Sequence, residues 1–148
     1  MLSDSGKWEK AFTLIELMVV LFIIGILSAV AIPLMRGRTD AAKWSEGKSG
    51  AGSVNTAARA YIAEKGNTYD FAGHQNLVTD LGFATNDLDG RYFKQADYGI
   101  VFTNSADIAA PPVYTITVTR NATGSPEAPS APVRITLDNA GLFTEYTS

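Results

Sequence analysis

The chain has 148 residues, a mass of 15.8 kDa, a formal net charge of −3 and no cysteine. That length fits one domain with an appendage, and the missing thiols exclude disulfides, thiol catalysis and zinc–thiolate sites. The charge balance is too weak to imply a partner, and no basic patch interleaved with aromatic residues marks a nucleic-acid surface.

Apolar residues make up 46% of the sequence and crowd toward its start. Between Glu16 and Arg36 no residue is charged. The uncharged run 17–35 approaches the roughly 20 apolar residues that span a bilayer as a helix. Three residues make this run unusual. Glu16 stands at its N-terminal end, inside the apolar register Phe12-Thr13-Leu14-Ile15, where an ionisable group at membrane depth is costly and points to function. Gly25 permits close helix contact. Pro33 removes a helical hydrogen bond and can kink or end the span. Lys7 and Lys10 precede the run, and Arg36, Arg38, Lys43 and Lys48 follow it. Counted alone, these charges lean toward a cytoplasmic C-terminal part.

The stretch from Lys10 to Val20, with its Phe-Thr-Leu-Ile-Glu core, resembles the prepilin peptidase recognition segment of type IV pilins and type II secretion pseudopilins. The resemblance is specific over roughly residues 6 to 36 and only architectural beyond. It implies a leader, residues 1–11, removed between Ala11 and Phe12, with Phe12 then N-methylated. Cleavage there makes Glu16 the fifth residue, the family's acidic position, and Gly25 and Pro33 fall where the family carries its helix Gly and Pro. Ala11 stands where the family normally has Gly, and cleavage is expected to survive that small change. The implied partners are the prepilin peptidase, an inner-membrane assembly platform, the lipid membrane and further copies of the chain in a helical filament. The implied precursor crosses the inner membrane once, with its C-terminal domain outside the cytoplasm. It then joins a surface pilus or a periplasmic pseudopilus. No cofactor is implied.

A new ammonium at Phe12 and a carboxylate one helical turn further on suit assembly rather than catalysis. Each charge is costly to bury alone, so only a correctly staggered neighbour satisfies both. Two other readings remain. A secretory signal cut after Ala31, at Ala29-Val30-Ala31, would release a soluble domain beginning at Ile32. An anchored or exported binding domain that does not assemble would give Glu16 no role.

Residues 12–35 are thus expected to form a membrane and assembly helix, and residues 36–66 its amphipathic second half. Trp44, Gly47, Ala51, Val54, Ala58, Tyr61 and Ile62 recur at three- and four-residue steps, with Lys48, Asn55, Arg59 and Lys65 expected opposite. Gly66 is the expected stop. A continuous helix from Phe12 to Lys65 would have about 54 residues and span roughly 80 Å. Gly47, Gly50 and Gly52 weaken it and mark either flexibility or close packing.

Residues 67–148 are expected to form the head. A connecting region, 67–97, has a possible helical turn at Leu77–Leu81 and a turn at Asn86–Gly90. Strands are expected at 98–103, 113–119, 133–137 and 142–146, alternating apolar and polar, in an antiparallel meander. The helix's second half would cover one sheet face, giving a two-layer α+β head. Residues 120–132, rich in Pro, Ser and Gly, read as a mobile surface loop. Asp87, Asp89 and Asp97 are weak calcium candidates without an EF-hand-type loop. His74 reads as a lone loop histidine, and Asn121-Ala122-Thr123 as a chance glycosylation pattern. No nucleophile–base set, phosphate loop or carboxylate pair suggests an enzyme.

Overall fold

A computed structural model describes residues 12–66, 69–103, 112–120 and 127–147. The expected leader, including Ala11, and the Asn121–Thr123 pattern lie outside the described residues. The chain falls into two compact units, one ending at Arg36 and the other beginning at Gly37.

Helix α1 runs Leu14–Lys65, 52 residues. It begins at Leu14 rather than Phe12 because Thr13 caps it. The Glu16 N–H donates to Thr13 Oγ1 at 3.3 Å, and the Glu16 carboxylate accepts the Thr13 N–H at 3.1 Å. This is a capping box, in which residues at the cap and third helical position satisfy each other's orphan donors. The helix continues through Pro33. It stops where expected: Gly66 takes φ +78° and its N–H donates to Ile62 O at 2.9 Å.

In the second unit, four strands form one sheet in the order β1-β2-β3-β4, every pair antiparallel: β1 Tyr98–Thr103, β2 Val113–Thr119, β3 Arg134–Asp138 and β4 Phe143–Tyr146. The first two match the alternation read from sequence. β3 and β4 each begin one residue later than expected, although Val133 N–H still donates to Tyr146 O at 2.8 Å. A short 3₁₀ helix, Gln95–Asp97, leads into β1 and was not anticipated.

Alternation gives the sheet an inner face. Ile100, Ile116 and Leu137 lie in one cross-strand row, and Val118 pairs with both Tyr98 and Ile135. Against this face α1 lays Trp44, Ala51, Val54, Ala58 and Tyr61, all buried. The connecting region adds Phe71, Leu77 and Phe93. Two helical glycines are there for closeness. A Cβ on Gly47 would sit 3.0 Å from the Phe93 ring, and one on Gly50 would collide with the Tyr98 hydroxyl. Gly52 meets nothing, so close packing explains two of the three.

Two expectations need correction. Asn55, Lys48 and Arg59 do not face away from the head: Arg59 donates to the Tyr114 hydroxyl at 3.4 Å and to Asn139 O at 3.1 Å. Asn55 Oδ1 accepts the Tyr114 hydroxyl at 2.6 Å, and Lys48 pairs with Glu145 at 2.9 Å, because both flank the apolar stripe closely enough to reach the sheet. Residues 127–132 are anchored rather than loose. Pro129 is buried, and Ala131 is held at both backbone groups: its N–H donates to Asp40 Oδ2 at 3.2 Å, and its carbonyl accepts Trp44 Nε1–H at 3.1 Å.

Candidate functional site

The site predicted from sequence lies in the first unit. From Phe12 to Met35 every large apolar side chain is about half exposed or more, from 49% at Ile23 to 78% at Phe12. The helix is long and apolar enough to cross a membrane, and none of its most apolar window is buried by the chain itself. An exposed apolar surface this extensive needs a cover that the described residues do not provide.

Glu16 is the charge set into this surface, and its local geometry is defined. The Thr13 hydroxyl donates to Glu16 Oε2 at 2.9 Å, and the Thr13 N–H donates to the same oxygen at 3.1 Å. Thr13 therefore fixes the direction of the carboxylate and provides the first turn with its cap. Phe12 precedes it directly and is exposed. The pattern Thr-x-x-Glu before an apolar run is a capping-box signature readable from sequence.

Beyond its chain neighbours and its own stretch of helix backbone, Gly25 has no described atom within 4 Å of where a Cβ would stand. Among the described residues nothing requires glycine there. Pro33 lies within the helix and does not end it.

Two of the three acidic candidates in the head have partners within the chain. Asp89 Oδ1 accepts the Gln95 N–H at 2.8 Å, and its Oδ2 faces Lys94 Nζ at 3.7 Å. Asp97 is buried, and its Oδ2 accepts the Lys94 N–H at 2.7 Å. Asp87 sits in a turn, with its N–H donating to Ala84 O at 3.2 Å. Among the described residues, no group of three or more His, Cys, Asp or Glu side chains is arranged to hold a metal ion.

Two arrangements escaped the sequence reading. Glu46, on α1, accepts the backbone N–H groups of Arg91, Tyr92 and Phe93 at 3.2, 2.7 and 2.9 Å, fastening the connecting region to the helix. His74 is not alone: Asp80 and Tyr69 lie on either side of its ring. Neither carries a local sequence signal.

Residues 9–32 match the family described as the prokaryotic N-terminal methylation motif. Among curated proteins, the chain is 41% identical over 74 residues to the type IV major pilin protein PilA of Myxococcus xanthus, covering 50% of this chain and 34% of that protein. It is 38% identical over 82 residues to a fimbrial protein of Pseudomonas aeruginosa, covering 55% and 53%. It is 28% identical over 142 residues to the fimbrial protein EcpB of Eikenella corrodens, covering 92% and 84%. The chain thus spans about a third to about half of the length of the first two relatives. No solved structure is a significant match.

Proposed function

We propose that the chain is a subunit of a type IV pilin-like filament, cut before Phe12 and held in the membrane by residues 12–35 until it polymerises. The observation that carries this reading is the exposed apolar helix with one carboxylate, aimed by Thr13, at its N-terminal end. Cleavage between Ala11 and Phe12 by a prepilin peptidase creates an ammonium beside that carboxylate. N-methylation of Phe12 leaves the charge in place.

In the lipid phase, apolar helix faces gain little by leaving lipid for each other, because lipid tails are as apolar as leucine. A polar contact therefore selects the stagger. The Glu16 carboxylate of one subunit meets the Phe12 ammonium of the next, and a pair of buried charges that loses one partner costs about 3–5 kcal/mol. Wrong staggers strand both charges. Gly25, which no contact among the described residues explains, offers a close-approach point between neighbouring helices. Pro33 leaves one carbonyl of its helix unpaired, a place where the helix can bend as subunits settle.

In this reading the precursor sits in the inner membrane with residues 37–148 outside the cytoplasm, and an assembly platform draws subunits into a pilus or a secretion pseudopilus. The chain acts by assembling, not by catalysing a reaction. Glu16→Gln keeps the side chain's size and its bonds to Thr13 possible but removes the charge. The expected result is a membrane-inserted, processed subunit that yields no filaments. Filaments in normal amount from Glu16→Gln would overturn the pairing role.

A further inference from the structure

Charged side chains three and four residues apart are neighbours on a helix surface and commonly pair. By that rule α1 would pair Arg36 with Asp40 and Lys43 with Glu46. Among the described residues neither pair forms. The Asp40 carboxylate instead accepts the Ala131 N–H through Oδ2 at 3.2 Å. Both Glu46 oxygens are taken by the backbone: Oε1 by the Tyr92 and Phe93 N–H groups at 2.7 and 2.9 Å, and Oε2 by the Arg91 N–H at 3.2 Å. The two acids of this stretch fasten the head and leave their neighbouring cations behind.

Arg36 and Arg38 are exposed. Lys43 Nζ lies over the Tyr92 ring, 5.4 Å from its centre. Among the described residues none of these three cations has a carboxylate partner. By contrast, Lys48 has Glu145 at 2.9 Å, Arg91 has Glu127 at 3.0 Å and Lys94 has Asp89 at 3.7 Å. Arg59, Arg120 and Arg134, all in the head, also lack a carboxylate. What sets Arg36, Arg38 and Lys43 apart is their place. They are the first three cations after the uncharged run 17–35. At about 1.5 Å per helical residue, Arg36 and Arg38 fall within the headgroup layer, roughly 5–7 Å deep beyond the hydrocarbon. Lys43 stands farther out. Helical side chains lean toward the N-terminus, and a lysine stem is long enough to carry its charge back toward that layer.

We propose that Arg36, Arg38 and Lys43 form a binding surface for anionic phospholipid headgroups, on the leaflet where the span ends. The surface rests on the reading of residues 17–35 as a membrane span. Lipid phosphate supplies the acceptors that Asp40 and Glu46 withhold, and the planar guanidinium fork matches phosphate oxygens two at a time. The same three cations weigh against a head outside the cytoplasm when Lys and Arg are counted on either side of the span. Lipid phosphate bound on the outer leaflet stabilises them in that orientation once the head is across.

The test is electron spin resonance of spin-labelled phosphatidylglycerol and phosphatidylcholine, each at trace amount in phosphatidylcholine bilayers that hold the full chain. The fraction of label slowed by the protein gives its relative preference for the two headgroups. Phosphatidylglycerol is expected to be preferred roughly five-fold, about what one cation near a membrane surface contributes. The triple variant Arg36→Gln, Arg38→Gln, Lys43→Gln should lose most of that preference. So should the natural chain in about 1 M salt, where the screening length is roughly 3 Å. Lys48→Gln, whose lysine already pairs with Glu145, should keep it. No preference in the natural chain overturns the surface and leaves these cations to an acidic protein partner. An undiminished preference in the triple variant also overturns it, and assigns the lipid to Lys7 and Lys10, which every variant shares. Alkaline extraction separates this failure from that of the span. A chain stripped from the bilayer by alkali overturns the span and the surface together, whereas one that stays without a lipid preference overturns the surface alone.

Discussion

One helix, α1, serves two regions of this molecule under two different rules. In the second unit its apolar residues recur at three- and four-residue steps, and the sheet buries them: Trp44, Ala51, Val54 and Ala58 are each at most 2% exposed. In the first unit apolar residues surround the helix, and the chain buries none of its most apolar window. A helix that is apolar all round is a buried or membrane helix. The head therefore carries its own stabilising partner within the chain, while in the proposed function residues 12–35 find theirs in lipid and in other copies. Truncating a side chain in the two regions should have different consequences, and the predictions below press on that difference.

The largest effect is expected at Glu16, the one charged side chain between Phe12 and Met35. Glu16→Gln should abolish filaments while head stability and membrane insertion stay unchanged, as read by electron microscopy, melting of the head and membrane fractionation. Next comes the core. Phe93 is fully buried, with its ring centre 4.9 Å from that of Trp44. Phe93→Ala should cost about 3–5 kcal/mol in denaturant unfolding of the head. The matching test in the other region, Leu21→Ala, should move that unfolding by less than about 0.5 kcal/mol. A Leu21→Ala cost comparable to that of Phe93→Ala would mean that the first unit is stabilised by the head after all.

Gly50→Ala sharpens the account within the head. On helix propensity alone the change should stabilise by about 1 kcal/mol. The new Cβ would instead meet the Tyr98 hydroxyl, which is buried, and overpacking of this kind costs about 1–3 kcal/mol. Net destabilisation is expected, and Gly52→Ala, with open space around it, should stabilise. The smallest effect concerns acid. The Asp80 carboxyl is held low, chiefly by the Asn76 N–H. A carboxyl held lower in the folded than in the unfolded chain contributes stability above its unfolded value of about 3.9. That contribution is lost as pH falls through the folded value. Head melting should therefore decline from pH 4 downward, and the decline should be shallower in Asp80→Asn.

Much of this division could be read from the sequence. The uncharged run 17–35, the stripe from Trp44 to Tyr61 and the strand alternation at 98–103 and 113–119 are local periodicities, and local periodicity survives folding. Phe12 and Glu16 can be proposed from sequence because their register with the apolar run is itself local. The parts that escaped are held by distant pairs. Glu46 caps backbone groups at Arg91, Tyr92 and Phe93, far along the chain. Asp40 and Trp44 hold Ala131 from far back in the sequence, which is why residues 127–132, which read as loose, are anchored. His74 read as solitary because Tyr69 and Asp80 are brought to its ring by a turn with no periodic signature. Even the helix start moved by two residues for a reason the sequence carried in Thr13 and Glu16.

The central claim is that the chain is cut before Phe12 and then assembles, and the intact mass of the subunit recovered from sheared or membrane-derived filaments tests it most directly. The account predicts a chain beginning at Phe12 and carrying one added methyl group. A chain still beginning at Met1, or a soluble domain beginning at Ile32 with no filament fraction, would contradict it.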